Sequence, residues 1–293
     1  MVIERPAAEK PLSLRLLSQL SPASTGIAPF IATILLLAVI LLTVFSPWIA
    51  THDPLAMDPL KRLQSASGEH LLGTDAYGRD LFSRMILGGR TSLVIGIAAA
   101  ATALILGVLI GLIAGYFRTA DAIIMRAMDA LMAMPSILIA IALVALNGPS
   151  IGSVIMAITV PEVPRVVRLV RSVVLTVREE PYVEAALALG SSTPKILFQH
   201  LLPNTMAPMI VQGTYIIASA ILTEALLSFL GAGISTEIPT WGNIMAEGRQ
   251  YFRLNPGIIL WPGVLLTICV LSINLIGDAA RDGLDPRMKK REA

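Results

Sequence analysis

The sequence predicts an all-α polytopic membrane protein with six transmembrane helices and a two-helix loop on the cytoplasmic side. Three observations lead there. Hydrophobic residues make up 55% of the 293 and charged residues only 14%, against about 25% charge in a water-soluble chain, and mean hydropathy is +0.75. Six stretches, 27–48, 92–117, 130–146, 151–170, 206–230 and 257–277, are apolar and long enough to cross roughly 30 Å of hydrocarbon at about 1.5 Å per residue. A polar island at 181–204 separates the fourth stretch from the fifth.

The organisation expected is an N-terminal cytoplasmic segment 1–26, a first helix 27–48, and an external segment 49–90 with an amphipathic helix. A five-helix core 91–278 follows, with its loop at 171–205, then a cytoplasmic tail 279–293. Basic residues before the first span (Arg5, Lys10, Arg15) raise a signal-peptide reading. Its apolar core is too long for one and no small-residue cleavage site follows, so an uncleaved anchor is expected. With the N-terminus inside, 15 of the 22 Lys and Arg fall on cytoplasmic segments and 7 on external ones. That bias favours both termini in the cytoplasm.

The net charge of +2 gives no reason to expect nucleic acid. Cys269 is the only cysteine and lies in an apolar run, which excludes an internal disulfide. His52, His70 and His200 stand far apart, without metal-ligand spacing, so no metal site is expected. No Ser/His/Asp or HExxH arrangement points to catalysis. The chain also lacks a Gly-Lys dipeptide, hence a Walker A phosphate cradle.

In the second span small residues recur every fourth position: Ala99, Ala103, Gly107, Gly111 and Gly115. They make one smooth stripe against which another helix can pack closely. The fourth span is interrupted by Pro161-Glu162-Val163-Pro164-Arg165. Prolines there kink a helix, and Glu162 is costly in hydrocarbon unless paired or wet. Arg165 lies at pairing distance in sequence. Glu162 therefore sits either in an interfacial ion pair, with Arg168 and Arg171 snorkelling to the inner headgroups, or in a wet vestibule. In the fifth span Gln212, Tyr215, Ser219 and Thr223 share one helical face; pathway lining and interhelical hydrogen bonding both fit it. Glu224 is expected near the external end, where hydration is cheap.

Pro181 suits a first helical turn, and Gly190 suits a left-handed stop after Tyr182 to Leu189. Thr193 reads as the next N-cap with Pro194 at the first position, and that helix is expected to stop before Pro203. The result is a stiff pair of short helices hinged at Gly190. Ala185, Ala186 and Gly190 leave a nearly bare surface for a partner groove, and Glu184 offers a charge to set register.

Glu184-Ala185-Ala186, Gly190, Pro194 and the terminal His200-Leu-Leu-Pro203-Asn204 together resemble the "EAA loop" of permease subunits in binding-protein-dependent ABC importers. Three further stretches resemble the second, C-type permease of dipeptide, oligopeptide and nickel importers. They are His70-Leu-Leu-Gly-Thr-Asp75-Ala-Tyr-Gly-Arg79-Asp80-Leu-Phe-Ser-Arg84, Leu227 to Gly233 with Trp241-Gly242, and Asn274 to Arg287. Ala279-Ala280 in place of Gly-Leu, and Glu162, depart from the pattern.

The resemblance implies the type I ABC importer transmembrane fold in a bacterial inner membrane. It also implies a related second permease as heterodimer partner, two ATPase subunits and an extracytoplasmic solute-binding protein. ATP and Mg would then bind to the partner ATPases and no cofactor to this chain. The cargo expected is a small solute, di- or oligopeptides being the family norm. The segments 52–90 and 231–256, carrying Asp75, Arg79, Asp80 and Trp241 with Phe82, Met85, Ile86, Tyr251 and Phe252, are expected either to dock the binding protein or to rest on lipid. The rival class is a self-sufficient secondary transporter or channel, which needs ionisable residues deep in several spans; beyond Glu162 and Glu224 the chain has few.

Overall fold

The computed structural model describes residues 27–284; the expected segment 1–26 and residues 285–293 of the tail lie outside that range. Ten helices follow one another, with no β-strand among the described residues: α1 Ile27–Val44, α2 Ser46–Ile49, α3 Leu81–Tyr116, α4 Arg118–Met132, α5 Ser136–Asn147, α6 Ile151–Val177, α7 Pro181–Ala188, α8 Thr193–Phe229, α9 Trp241–Gly248 and α10 Gly257–Leu284.

Four of these, α1, α3, α8 and α10, are long and apolar enough to span a membrane, and the bent pair α4–α5 raises the number to five. Six separate spans were expected, and two regions account for the difference. The stretch 130–146 is not one straight helix: α4 and α5 meet at 90°. Pro135 causes the break, because its ring disfavours helical geometry at Met134. Alone, the 12 residues of α5 reach only about 18 Å. The fourth stretch does form a 27-residue helix, about 40 Å long, that continues through Pro161 and Pro164. It carries too many charges to pass as a span by composition.

The second span also begins earlier than its hydropathy suggests. Asp80 caps α3 by accepting from the Ser83 N–H at 2.8 Å, so the helix starts at Leu81 and the amphipathic part of 49–90 is continuous with the span. At 36 residues α3 is about 54 Å long, well beyond the hydrocarbon thickness.

α3 is the central post, and α6 packs along it most extensively. The small-residue stripe is the reason. A Cβ on Gly107 would lie 2.4 Å from Val166 Cβ, one on Gly111 2.7 Å from Val170 Cβ, and one on Gly115 2.6 Å from Val174 Cβ. Three valines at four-residue spacing thus fill three notches at the same spacing, and all three are fully buried. α8 packs on α3, α6 and α10; α1 rests against α10 and buries only a narrow strip, leaving the rest of its surface apolar and exposed.

The charges on α6 tie it to α4. Arg171 donates to Asp121 (Nη2 to Oδ2, 2.7 Å) and Arg168 to Asp129 (2.6 Å). Carboxylates on the amphipathic α4 thus hold the two arginines expected to reach the inner headgroups.

Candidate functional site

The island 181–204 folds as a stem with an exposed tip. Pro181 occupies the first turn of α7, where its missing N–H breaks no helical bond. Gly190 has φ +79° and closes the helix: its N–H donates to Leu187 O at 2.9 Å and the Ser191 N–H to Ala186 O at 3.0 Å. That pair of bonds is the Schellman pattern, which needs the left-handed conformation glycine adopts without strain. Val183 and Ala186 face inward, Val183 joining Ile196, Leu201, Val170 and Val174 in one core. Ala186 therefore packs within the chain, and the bare outward surface is Ala185 and Gly190, beside exposed Glu184.

The second helix departs from expectation. Ser192, not Thr193, occupies the cap, and Pro203 does not stop the helix. Residues Ile196–Leu201 of α8 form a π turn in which the Leu202 N–H donates to Leu197 O, and the helix continues through it to Phe229. A proline ring clashes with the carbonyl four residues back in a regular α-helix; a wider turn accommodates it without ending the ladder. The same turn brings Ile196 and Leu201 to the same core, both with 0% exposure. Asn204 clamps the two helices, donating to Tyr182 Oη (3.2 Å) and His200 O (2.6 Å), and the Tyr182 and His200 rings lie 6.2 Å apart. What projects is largely apolar, Tyr182, Leu187, Phe198 and above all Leu189, 87% exposed, with Glu184, Lys195 and Gln199 exposed among them. Pro194 is also exposed.

The polar face of α8 lines a cleft of about 210 Å³ formed by Tyr215, Ala218, Ser219, Leu222, Thr223, Leu226 and Asn274. Three of the four predicted residues meet there; Gln212 does not line it. Asn274, on α10, is the member sequence reasoning missed, although an amide inside an apolar run was the available signal. Glu162 lies behind this face. It accepts two hydrogen bonds from Arg165 Nη1 (3.0 and 3.2 Å) and one from Ser219 Oγ (3.4 Å). It is 7% exposed, a buried carboxylate paired with Arg165 and bonded to the cleft residue Ser219. Glu224 corrects the expectation of cheap hydration: it has 0% exposure and accepts from Ser92 Oγ (3.1 Å) and Ser228 Oγ (2.8 Å).

At the other end of α3, the four residues expected on a docking rim are buried: Asp75, Arg79, Asp80 and Trp241 are all at 3% exposure or less. Met85 and Ile86 are buried as well, while Phe252 is exposed. Asp75, Arg79 and Trp241 hold the segments 49–90 and 231–256 against each other. Asp75 accepts from Arg79 Nε (2.6 Å), and Glu247 on α9 accepts from Arg79 (2.5 Å) and Arg84 (3.4 Å). Trp241 Nε1 donates to Met85 O at 3.1 Å, and the Thr240/Asn243 capping box starts α9. Glu247→Gln should leave two buried guanidinium groups facing one carboxylate. A loss of about 3–5 kcal/mol is expected, read as a lowered melting temperature of the detergent-solubilised complex.

Near this quartet, His52 and His70 converge on Asp80, contrary to their separation in sequence. Burial pushes the Asp80 carboxyl up, but the Ser83 N–H, the His70 ring and the Ser83 hydroxyl outweigh it and hold it below the usual carboxylate range.

A profile of the family described as "Binding-protein-dependent transport system inner membrane component" matches residues 107–290. The chain belongs to this family. The match runs from the small-residue stripe through the island and the polar cleft to the end of α10. Among curated relatives, the probable peptide ABC transporter permease protein y4tQ of Sinorhizobium fredii is 52% identical over 239 residues, 82% of each chain. The dipeptide transport system permease protein DppC of Alkalihalophilus pseudofirmus is 44% identical over 260 residues, 88% of this chain and 86% of its own. A chain of the MetNI methionine ABC transporter, solved in inward-facing conformations, superposes with TM-score 0.53 at 20% identity; the likeness covers 69% of this chain and 96% of that one. At that identity it speaks for the fold alone. As a family member the protein is an inner-membrane, multi-pass permease subunit of an ABC transport system and not itself an ATPase. Membership implies ATPase and binding-protein partners.

Proposed function

We propose that this permease carries di- or oligopeptides inward as one half of a translocation pathway, with the segment 181–202 as the lever its ATPase partner pushes. The observation that carries this reading is the apolar tip. Leu187, Leu189, Phe198 and Tyr182 are exposed on a stem whose other side is rooted through Val183, Ile196 and Leu201 in the core of α3 and α6. An apolar tip on a rigid stem suits a groove on a soluble partner. The peptide cargo is supported by the relatives, whose names record peptide and dipeptide transport.

In this reading the chain crosses the membrane six times, by α1, α3, the α4–α5 pair, α6, α8 and α10. The charges of α6 are tolerable there because Glu162, Arg165, Arg168 and Arg171 are paired within the chain. Six crossings and the distribution of basic residues leave both termini cytoplasmic. A related second permease completes the pathway, and each permease meets one ATPase, on which ATP and Mg bind.

Closure of the ATPase pair draws the levers together. Because α8 runs from the lever through the π turn without a break, movement reaches Tyr215, Ser219 and Thr223 directly, and the Val183 contact carries it to α6. The cycle works only if closed ATPases favour one permease conformation, since equal affinity for both shifts nothing.

Thiol chemistry tests it. Cys269 is fully buried, so Leu189→Cys adds the single accessible thiol among the described residues. A bifunctional reagent is expected to join it to the ATPase subunit in reconstituted complexes, more strongly in one nucleotide state. Labelling of that thiol from outside intact cells, with no ATPase adduct, would refute the lever.

A further inference from the structure

We propose that His52, His70 and Asp80 form a divalent transition-metal site, fitted to Zn²⁺, at the N-terminal end of α3. One ligand atom from each lies within 4.8 Å of the others. His70 Nδ1 stands 2.9 Å from Asp80 Oδ1 and His52 Nδ1 3.8 Å from the same oxygen. A tetrahedral ion with bonds of about 2.1 Å separates its ligands by roughly 3.4 Å, between those two values. The His52–His70 pair is held only within the same 4.8 Å limit, so closing the shell takes side-chain movements of up to about 1 Å.

The chemistry of the donors selects the metal. Two imidazoles and one carboxylate suit Zn²⁺, whereas Mg²⁺ and Ca²⁺ prefer oxygen alone. Three protein ligands leave a fourth position for water, and the half-exposed His52 ring opens the site to solvent. Without an ion the His70 Nδ1–H donates to Asp80 Oδ1, and metal binding at that nitrogen displaces the proton and frees both atoms as ligands. The His70 Nε2, in a side chain 5% exposed, has no hydrogen-bond partner of its own. The Thr51 hydroxyl donates to Asp80 Oδ2 at 3.3 Å and holds that carboxylate in place.

Such an ion would clip three distant points of the chain: the exit of α2, the loop at residue 70 and the cap of α3. The segment concerned has little regular structure between Ile49 and Leu81 beyond one turn of 3₁₀ helix. A chelated ion would hold it independently of the Arg79–Glu247 quartet, and the site is separated from the lever by the length of α3.

The test uses the purified transport complex in detergent, freed of metal by chelator and dialysed against graded ZnCl₂. Wild type is expected to retain one more Zn²⁺ per copy of this chain than His52→Ala, whose apparent affinity should fall at least tenfold. Zinc should also raise the melting temperature of wild type and leave that of His52→Ala unchanged. His52 is half-exposed, so its replacement leaves the fold intact; His52→Gln keeps its bulk and should lose zinc in the same way. Equal zinc stoichiometry and affinity in wild type and both variants, or no zinc in wild type, would overturn the site and leave an internal His70–Asp80 hydrogen bond only. Failure here leaves the lever reading untouched, because no residue is shared.

Discussion

Gly107→Leu is expected to stop the protein accumulating in the membrane, the largest structural effect foreseen for one substitution. The first added carbon alone would stand 2.4 Å from Val166 Cβ and 2.5 Å from its Cγ1, and Val163 O is 3.4 Å away. Neither side has room to give, since Val166 is fully buried and the interface continues through Gly111 and Gly115. Overpacking of a tight site costs about 1–3 kcal/mol even for small additions, and four carbons exceed that range. Lipid makes the loss harder to offset, because helices there associate by close packing without a hydrophobic drive. The check is the amount of membrane-inserted protein on immunoblots of washed membranes. A reciprocal swap makes the argument specific: Gly107→Ala together with Val166→Gly moves the bulge to the other helix. It should recover part of what Gly107→Ala alone loses. Wild-type levels of Gly107→Leu would show that α3 and α6 are not held by these notches.

Leu189→Asp should do the opposite, leaving the protein in the membrane and removing coupled uptake. Leu189 is 87% exposed and contributes nothing to the chain's own core, and surface changes of that kind shift stability by about 0.5 kcal/mol or less. If the residue anchors the lever in an ATPase groove, burying a carboxylate there should cost at least about 2 kcal/mol, some thirtyfold in affinity. The expected pair of results is normal accumulation by immunoblot with peptide uptake into vesicles reduced more than tenfold. Gly190→Leu should weaken uptake as well, but by another route. Open space surrounds the position, and only the left-handed φ resists a side chain, so the end of α7 should fray while Val183 keeps its root. Full uptake by Leu189→Asp would remove the apolar tip from the mechanism.

Much of the candidate site was legible in the residues because its signals are local. Pro181 and Gly190 mark the limits of α7 through backbone restriction, which needs no knowledge of neighbours. The four-residue repeat of small side chains announced a helix interface without naming its partner. Pro203 shows where local reasoning stops. Read alone it terminates a helix, yet burial of Ile196 and Leu201 in a common core favours a π turn through which α8 continues to Phe229. The burial of four residues expected at an exposed rim has a related reason. Asp75, Arg79, Asp80 and Trp241 look like surface chemistry in a loop, but Glu247 lies 168 positions from Arg79 and Met85 lies 156 from Trp241, and such contacts draw these residues inside.

Hydropathy and the polar island between two apolar stretches were enough to determine a helical membrane protein with a short-helix segment between two long helices, because the solvent acts on each segment independently. Convergence of His52, His70 and Asp80, the right-angle turn between α4 and α5, and the pairing of α6 charges with α4 were decided only by tertiary structure. Each depends on which distant side chain arrives opposite, and periodicity along one helix carries no record of that.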